Sequence, residues 1–174
     1  MTHNDEEFAA LRSTIRDRGT VRLILLPVTF GLWAGTAVAT TAAIQLPIAA
    51  LVPLLVLAAG FEAIYALHVN VERIGRYLQV FHEPNGGWEH VAMTFGERFP
   101  GRGPDALFSA LFLMATALNY LAVLLPGPEA IELSVMAIPH LALIAWLVAS
   151  DRSMRAQRAT ELSRLRELYQ QRQP

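Results

Sequence analysis

Hydrophobic positions recur at helical spacing along much of this chain, and the stretch 60–83 keeps that spacing while its surroundings change from apolar to polar. The apolar positions of this stretch alternate three and four residues apart and form a heptad seam: Ile64, Leu67, Val71, Ile74, Leu78 and Phe81. Arg76 and Gln79 fall on the opposite arc, so they are expected to be more exposed than the seam. The pattern predicts one continuous helix that leaves an apolar medium and enters a polar one.

Three long runs of the sequence contain no charged residue. They are 39, 23 and 18 residues long and occupy positions 23–61, 106–128 and 133–150. A helix needs about 20 apolar residues to cross a bilayer, so the first run predicts two spans and each of the others predicts one. The expected spans are 23–44, 48–67, 106–125 and 133–150. A buried helical core in a soluble protein is the alternative, and runs of this length disfavour it.

Polar sequence flanks the expected spans and extends two of them. The second helix is expected to continue to about His82, and the fourth to continue through 151–172. The first residues indicate either a short amphipathic helix ended by Gly19 or a frayed terminus. We therefore expect an all-α fold, a four-span transmembrane bundle of two hairpins with helices 2 and 4 extended into the cytoplasm. The expected domains are an N-terminal segment 1–20, a membrane domain 21–150 with a cytoplasmic loop 84–105, and a C-terminal helix 151–174.

The central loop contains one further amphipathic stretch. Trp88, Val91, Ala92 and Phe95 share one face over two helical turns, and the charged side chains of the stretch lie off that face. Aromatic residues of this kind are enriched where a membrane meets water. The pattern predicts a short helix lying at the membrane interface.

A stripe of small residues marks the first span. Gly31, Gly35, Ala39 and Ala43 are spaced by four and lie on one helix face. Because packing rather than water exclusion joins helices in lipid, such a stripe lets a neighbouring backbone approach closely. The stripe predicts helix packing, and it leaves open whether the packing helix belongs to the same chain.

The distribution of arginine predicts the topology. All fourteen basic residues are arginines; they lie before span 1, between spans 2 and 3, and after span 4, and none lies in the short turns within the hairpins. Positive charge is retained on the cytoplasmic side, so both termini and the central loop are expected there, in an integral protein of the cytoplasmic (inner) membrane. The net charge of −1 gives no reason to expect a nucleic-acid partner.

Glu62 is the sharpest candidate for a functional group. It lies within a predicted span, where a carboxylate must be protonated, paired or turned towards a wet cavity. His140, in the fourth predicted span, is a candidate partner, and Tyr65 lies on the same arc of the second helix. Arg73 or Arg76 could also reach it. The group then serves either as an ion or proton site, or as a neutral acid hydrogen-bonded between helices.

A second, weaker candidate is a metal site on the cytoplasmic side. Imidazole and carboxylate groups suit zinc or non-haem iron, and His68, Glu72, His82 and Glu83 lie near one another in the sequence. The pair His68 and Glu72 is equally well explained as a surface contact between residues four apart. The absence of cysteine excludes disulfides, thiol catalysis and iron–sulfur ligation, and the sequence leaves any cofactor open.

Three classes of function are compatible with these patterns. The first is an interaction or assembly subunit in the lipid bilayer, acting as a homo-oligomer or with a partner membrane protein, as the stripe and the seam indicate. The second is an oligomeric proton or cation pathway that uses Glu62. The third is a metal-dependent membrane enzyme with an inner-face site, although no motif points to a particular reaction.

Overall fold

A computed structural model describes residues 3–83, 86–98 and 104–172 of the chain. The described residues form α-helices and one short 3-10 turn, Pro47–Ala50, and contain no strand. The helices are α1 (His3–Ala43), α2 (Leu51–Phe81), α3 (Trp88–Arg98), α4 (Pro104–Val123) and α5 (Ala130–Arg172). The all-helical expectation is confirmed, as are the extensions of the second helix to the neighbourhood of His82 and of the last helix through the C-terminal segment.

Three of the described helices, α1, α2 and α5, are long and apolar enough to cross a membrane. In α4 the apolar stretch Phe108–Val123 is shorter than the usual span length. The structure therefore supports membrane association through three span-length helices.

The first helix is longer than the sequence analysis expected. The prediction of a short helix ended by Gly19 is wrong, because α1 continues from His3 to Ala43 through both Gly19 and Pro27. A glycine inside a helix costs only about 1 kcal/mol relative to alanine, so a single one does not end a helix whose neighbours favour it. The N-terminal part also packs on α2, where Tyr77 donates a hydrogen bond from its hydroxyl to Glu7 over 3.0 Å.

The described helices form two compact units. The apolar unit comprises Leu23–Ile64 and Pro104–Asp151, and the polar unit comprises Met1–Arg22, Tyr65–Gly103 and Arg152–Pro174. Each of the three long helices contributes a segment to both units. On α1 the boundary follows Arg22, the last charged residue before the first apolar run, and on α5 it follows Asp151, where charge resumes.

The core of the apolar unit is aromatic. The Phe61 and Phe112 rings are almost completely buried, and their centroids lie 5.5 Å apart in an edge-to-face arrangement. Phe108 stacks on Phe61 with a centroid distance of 5.8 Å, and Phe30 of α1 lies 5.1 Å from Phe112. These rings hold α1, α2 and α4 together through large contact areas and favourable ring geometry.

Thr29 of α1 packs directly against Gly60 of α2. A Cβ atom added to Gly60 would lie 2.8 Å from the Cβ of Thr29, so only glycine fits there. The predicted stripe behaves differently, because a Cβ atom added at Gly31 or Gly35 would have no neighbour within 4 Å. Ala39 and Ala43 of the same stripe are exposed as well. The stripe is therefore not used for packing against the described residues of its own chain.

Candidate functional site

Glu62 lies on the outer surface of the apolar unit. Its carboxylate accepts a hydrogen bond at Oε1 from the indole Nε1 of Trp146 on α5. Both residues are exposed, and Trp146 exposes 52% of its surface. The contact thus places a carboxylate and an indole N–H side by side on an apolar surface.

Alanines lie near this pair in the sequence of both helices. The exposed ones within the apolar unit are Ala59 and Ala63 on α2 and Ala142, Ala145 and Ala149 on α5. Alanine side chains allow another helix to approach the backbone closely. We refer to these five alanines together with Glu62 and Trp146 as the Glu62 face.

His140 belongs to a separate, buried network. Its Nε2 lies 3.0 Å from Nδ2 of Asn119, and its Nδ1 lies 2.7 Å from the carbonyl oxygen of Met136. Asn119 also donates from Nδ2 to the carbonyl oxygen of Ala50 over 2.9 Å, and it accepts from Trp33 Nε1 over 3.2 Å. Through Asn119 the network joins α1, the 3-10 turn, α4 and α5.

Chemistry fixes the donor and acceptor roles in this network. The indole of Trp33 can only donate and the carbonyl of Ala50 can only accept, so the amide of Asn119 has one allowed orientation. Its Nδ2 therefore donates to His140 Nε2, and His140 donates from Nδ1 to Met136. The imidazole is hydrogen-bonded as a neutral ring and links α5 to Asn119 of α4.

The structure therefore does not unite the predicted ion or proton site. Both ring nitrogens of His140 are used by Asn119 and Met136, whereas the carboxylate of Glu62 is bonded to Trp146. Tyr65 belongs to the polar unit. The arginines considered as partners for Glu62 are used elsewhere, because Arg73 and Arg76 both bind Glu161, over 2.9 Å and 2.7 Å.

The polar unit contains a charge network along the predicted seam helix. The expectation that Arg76 and Gln79 are exposed is wrong, since they expose only 5% and 4% of their surface. Arg76 is buried because two carboxylates hold it, Glu161 of α5 and Glu72 one turn away at 3.3 Å. Of the seam, Ile64 and Leu78 are fully buried, and Leu67, Val71, Ile74 and Phe81 are half-buried.

Glu72 is the centre of this network. It is bound by Arg158 of α5, and its Oε1 lies 3.4 Å from Nε2 of His68. Arg22 of α1 in turn lies 2.6 Å from Nδ1 of His68. Burial by itself would raise the pKa of Glu72, but the hydrogen bonds and charges of His68 and Arg158 outweigh it and lower the pKa from 4.5 to about 2. Glu72 is therefore a permanently ionised structural group at neutral pH.

The four residues of the predicted metal site separate into two places. His68 and Glu72 lie together, whereas Glu83 binds Arg12 over 2.9 Å and the ring of His82 packs against Phe8 at 5.6 Å. Within residues 3–83, 86–98 and 104–172 there is no group of three or more His, Asp or Glu side chains placed to hold a metal ion. Among the described residues, Arg22 and Arg158 contact His68 and Glu72, where a metal site would need a third ligand.

A groove of about 560 Å³ opens in the apolar unit between the 3-10 turn and the first turns of α5. Its lining is apolar except for Glu132, and it includes Pro47, Leu51, Met136 and Pro139. Such a lining lacks the convergent polar groups that orient a substrate for reaction.

No protein-family model, curated protein or solved structure matches this chain. The candidate site residue that the sequence analysis did not single out is Trp146, in the fourth predicted span. Its signal is positional: Trp146 lies four residues before Ser150, where the fourth predicted span ends, and Glu62 lies five residues before Leu67, where the second predicted span ends. A polar group at a similar distance from the end of each predicted span is a pairing signal.

Proposed function

We propose that this protein is a membrane-embedded assembly subunit whose Glu62 face binds a transmembrane helix of a partner protein. The observation that carries the proposal is the exposed Glu62–Trp146 pair on the apolar unit. The proposal keeps the assembly function expected from the sequence and assigns it to a particular surface.

The cost of a carboxylate in lipid supports a covered Glu62 face. A charged side chain in the hydrocarbon costs several kcal/mol, and such groups almost always face protein or a water-filled cavity. One indole N–H satisfies only part of the hydrogen-bonding capacity of a carboxylate, which has about four acceptor sites. A partner helix would supply the remaining donors and remove the lipid from this surface.

Charge complementarity favours a partner with a basic or other donor side chain. The sequence of Leu23–Ile64 and Pro104–Asp151 contains no arginine or lysine, so a second copy of the apolar unit offers no cation at this level. The alanines around Glu62 and Trp146 let a foreign helix come close enough for a direct contact. The partner is therefore a membrane protein with a cationic residue in a span.

The stripe on α1 provides a second face for close packing. Gly31 and Gly35 have open space beside them, and the stripe carries no charge. A charge-free stripe of this kind is self-complementary, so it suits a second copy of the chain. The assembly proposed here thus combines a homo-oligomeric contact through α1 with a partner contact through the Glu62 face.

The membrane topology is part of the same proposal. We take α4 as the third span, which with α1, α2 and α5 completes two hairpins in a four-span bundle. The arginine distribution then puts both termini and α3 on the cytoplasmic side of an inner membrane. Glu62 and Trp146 lie towards the cytoplasmic ends of their spans in this arrangement.

The two other functions receive less support. A proton pathway needs a second titratable group beside Glu62, and the candidate His140 is bound within its own network. A metal-dependent enzyme needs at least three ligands, and the described His68–Glu72 pair is held by arginines instead. The assembly function needs only the surface already described.

Association with model transmembrane peptides tests the proposal. Two synthetic leucine–alanine helices of about 20 residues would be used, one with an arginine near its cytoplasmic end and one with leucine there. The protein would be labelled at a cysteine replacing Ser163, and energy transfer from this label to a label on the peptide would report binding in vesicles. We expect the arginine peptide to bind wild-type protein roughly 3- to 20-fold more tightly than the leucine peptide, as one polar contact in lipid provides.

Two variants separate the outcomes of this experiment. Glu62→Gln should abolish the preference for the arginine peptide, whereas Glu129→Gln, an exposed acid outside the apolar helices, should retain it. A preference that survives Glu62→Gln contradicts the proposal. Energy transfer between two labelled copies of the protein would also contradict the proposal if it depended on Glu62 and neither peptide reduced it. A second copy would then occupy the Glu62 face.

A further inference from the structure

The short helix α3 is arranged with its polar side inward and its apolar side outward within the polar unit. An amphipathic helix on a water-soluble protein does the opposite and buries its apolar stripe. The polar contacts of α3 are specific, so they determine which side faces out.

The inward side of α3 is held by side chains from α1 and α2. Glu89 accepts a hydrogen bond from Nη1 of Arg12 over 2.8 Å, and its backbone N–H donates to Glu83 over 2.9 Å. A Cβ atom added at Gly75 of α2 would lie 3.1 Å from the Glu89 carboxylate, so glycine makes room for this contact. The ring of His90 lies against Gln79, with His90 Nε2 3.2 Å from the Gln79 carbonyl oxygen. These contacts fix the rotation of the helix.

The outward side of α3 is apolar and strongly exposed. Trp88 exposes 68% of its surface and Val91 63%, and Phe95 on the same face exposes 62%. Arg98 is exposed at the end of the helix, three residues after Phe95, and therefore lies beside this face. An aromatic face with a basic residue at its edge is a chemical match for an anionic lipid headgroup region.

We propose that α3 lies on the bilayer surface with Trp88 and Val91 inserted at the boundary between headgroups and acyl chains, and that Arg98 binds anionic headgroups. We take the bilayer as the partner that covers the apolar face of α3, because three helices of this chain are long and apolar enough to span a membrane. The proposal concerns a surface other than the Glu62 face, and its test does not depend on the partner helix.

Fluorescence from a single label on α3 tests this contact. The chain contains no cysteine, so replacing Val91 by cysteine gives one attachment site for the environment-sensitive dye NBD. The labelled full-length protein would be reconstituted in vesicles of neutral phosphatidylcholine, with or without anionic phosphatidylglycerol. We expect blue-shifted emission that is quenched by doxyl groups on lipid chains and protected from aqueous iodide, with a larger shift in the anionic vesicles.

A matched label and a charge variant complete the test. NBD on a cysteine replacing Ser163, an exposed residue of the polar unit, should remain red-shifted and open to iodide. Arg98→Gln should remove the extra shift in anionic vesicles and leave the neutral-vesicle signal in place. Iodide quenching without doxyl quenching at position 91 would overturn the proposal. A blue shift that disappears when the protein is diluted in lipid would also overturn it, because a second copy would then cover the face.

Discussion

The indole N–H of Trp146 donates to the carboxylate of Glu62, and this contact joins α2 and α5 on the exposed surface of the apolar unit. Two other polar groups of that unit, Asn119 and His140, behave differently: they are buried, and each bonds to another helix or to a carbonyl. The Glu62 carboxylate therefore has hydrogen-bond acceptor sites beyond the one used by Trp146. It lies on an exposed surface of a chain with three helices long enough to span a membrane.

Replacing Gly60 by alanine should destabilise the protein, whereas replacing Gly35 by alanine should not. The added methyl group at Gly60 collides with Thr29, and such overpacking costs about 1–3 kcal/mol. At Gly35 the added group enters open space, so stability stays unchanged or rises slightly. Thermal unfolding midpoints in detergent would measure both variants, and equal losses would contradict this packing.

Asn119→Ala should lower stability by about 1–2 kcal/mol, because it leaves Trp33, His140 and the Ala50 carbonyl without a shared partner. Ser134→Ala is a suitable control, since the Ser134 hydroxyl bonds only to a carbonyl of its own helix at Ala130. Unfolding in detergent by a denaturant series would compare the two. A neutral Asn119→Ala variant would exclude the network as a determinant of the fold.

Arg76→Ala should cost about 3 kcal/mol or more, whereas Arg73→Ala should cost less than about 1 kcal/mol. Both arginines bind Glu161, but the Arg76 side chain is 6% exposed and that of Arg73 is 57% exposed. Removing the buried cation leaves Glu72 and Glu161 short of a partner. The two variants share an acceptor, so similar losses would show that burial does not set the strength of these pairs.

Acid should destabilise the polar unit, because the Glu72 carboxylate becomes protonated at low pH. Its pKa is lowered from 4.5 to about 2 in the folded protein, so the unfolded state binds the proton more tightly. The contribution is complete above pH 4.5 and is lost as the pH falls towards 2. It amounts to about 2 kcal/mol after allowance for solvent screening. The difference in unfolding midpoint between wild-type protein and Glu72→Gln should therefore shrink over this range, and a constant difference would contradict the assignment.

Much of the fold follows from charge distribution and periodicity. The absence of charge from 23–61 and 133–150 predicted apolar helices, and the uninterrupted seam predicted that α2 would reach beyond its apolar run. The continuity of α1 was not predictable from Gly19, since a helix boundary depends on packing as well as on one residue's propensity.

The candidate site was only partly predictable. A lone acid in an apolar run drew attention to Glu62, but helical spacing within one segment does not tell which residue of another helix meets it. The burial of Arg76 was missed for the same reason, because its partner Glu161 is distant in sequence. A single-helix pattern classes an arginine as exposed unless its counter-ion is known.

The central claim is that a cationic partner helix binds at the Glu62 face, and site-directed cross-linking tests this location directly. The naturally cysteine-free chain allows single cysteines in place of Ala63, beside Glu62, and of Ala39, on the α1 stripe. The arginine-bearing model peptide, with its own cysteine one turn from the arginine, would be co-reconstituted with each variant and oxidised. We predict a disulfide at position 63 that Glu62→Gln suppresses, and little reaction at position 39. Equal reaction at both positions, or reaction at 63 that is indifferent to Glu62→Gln, would contradict the account.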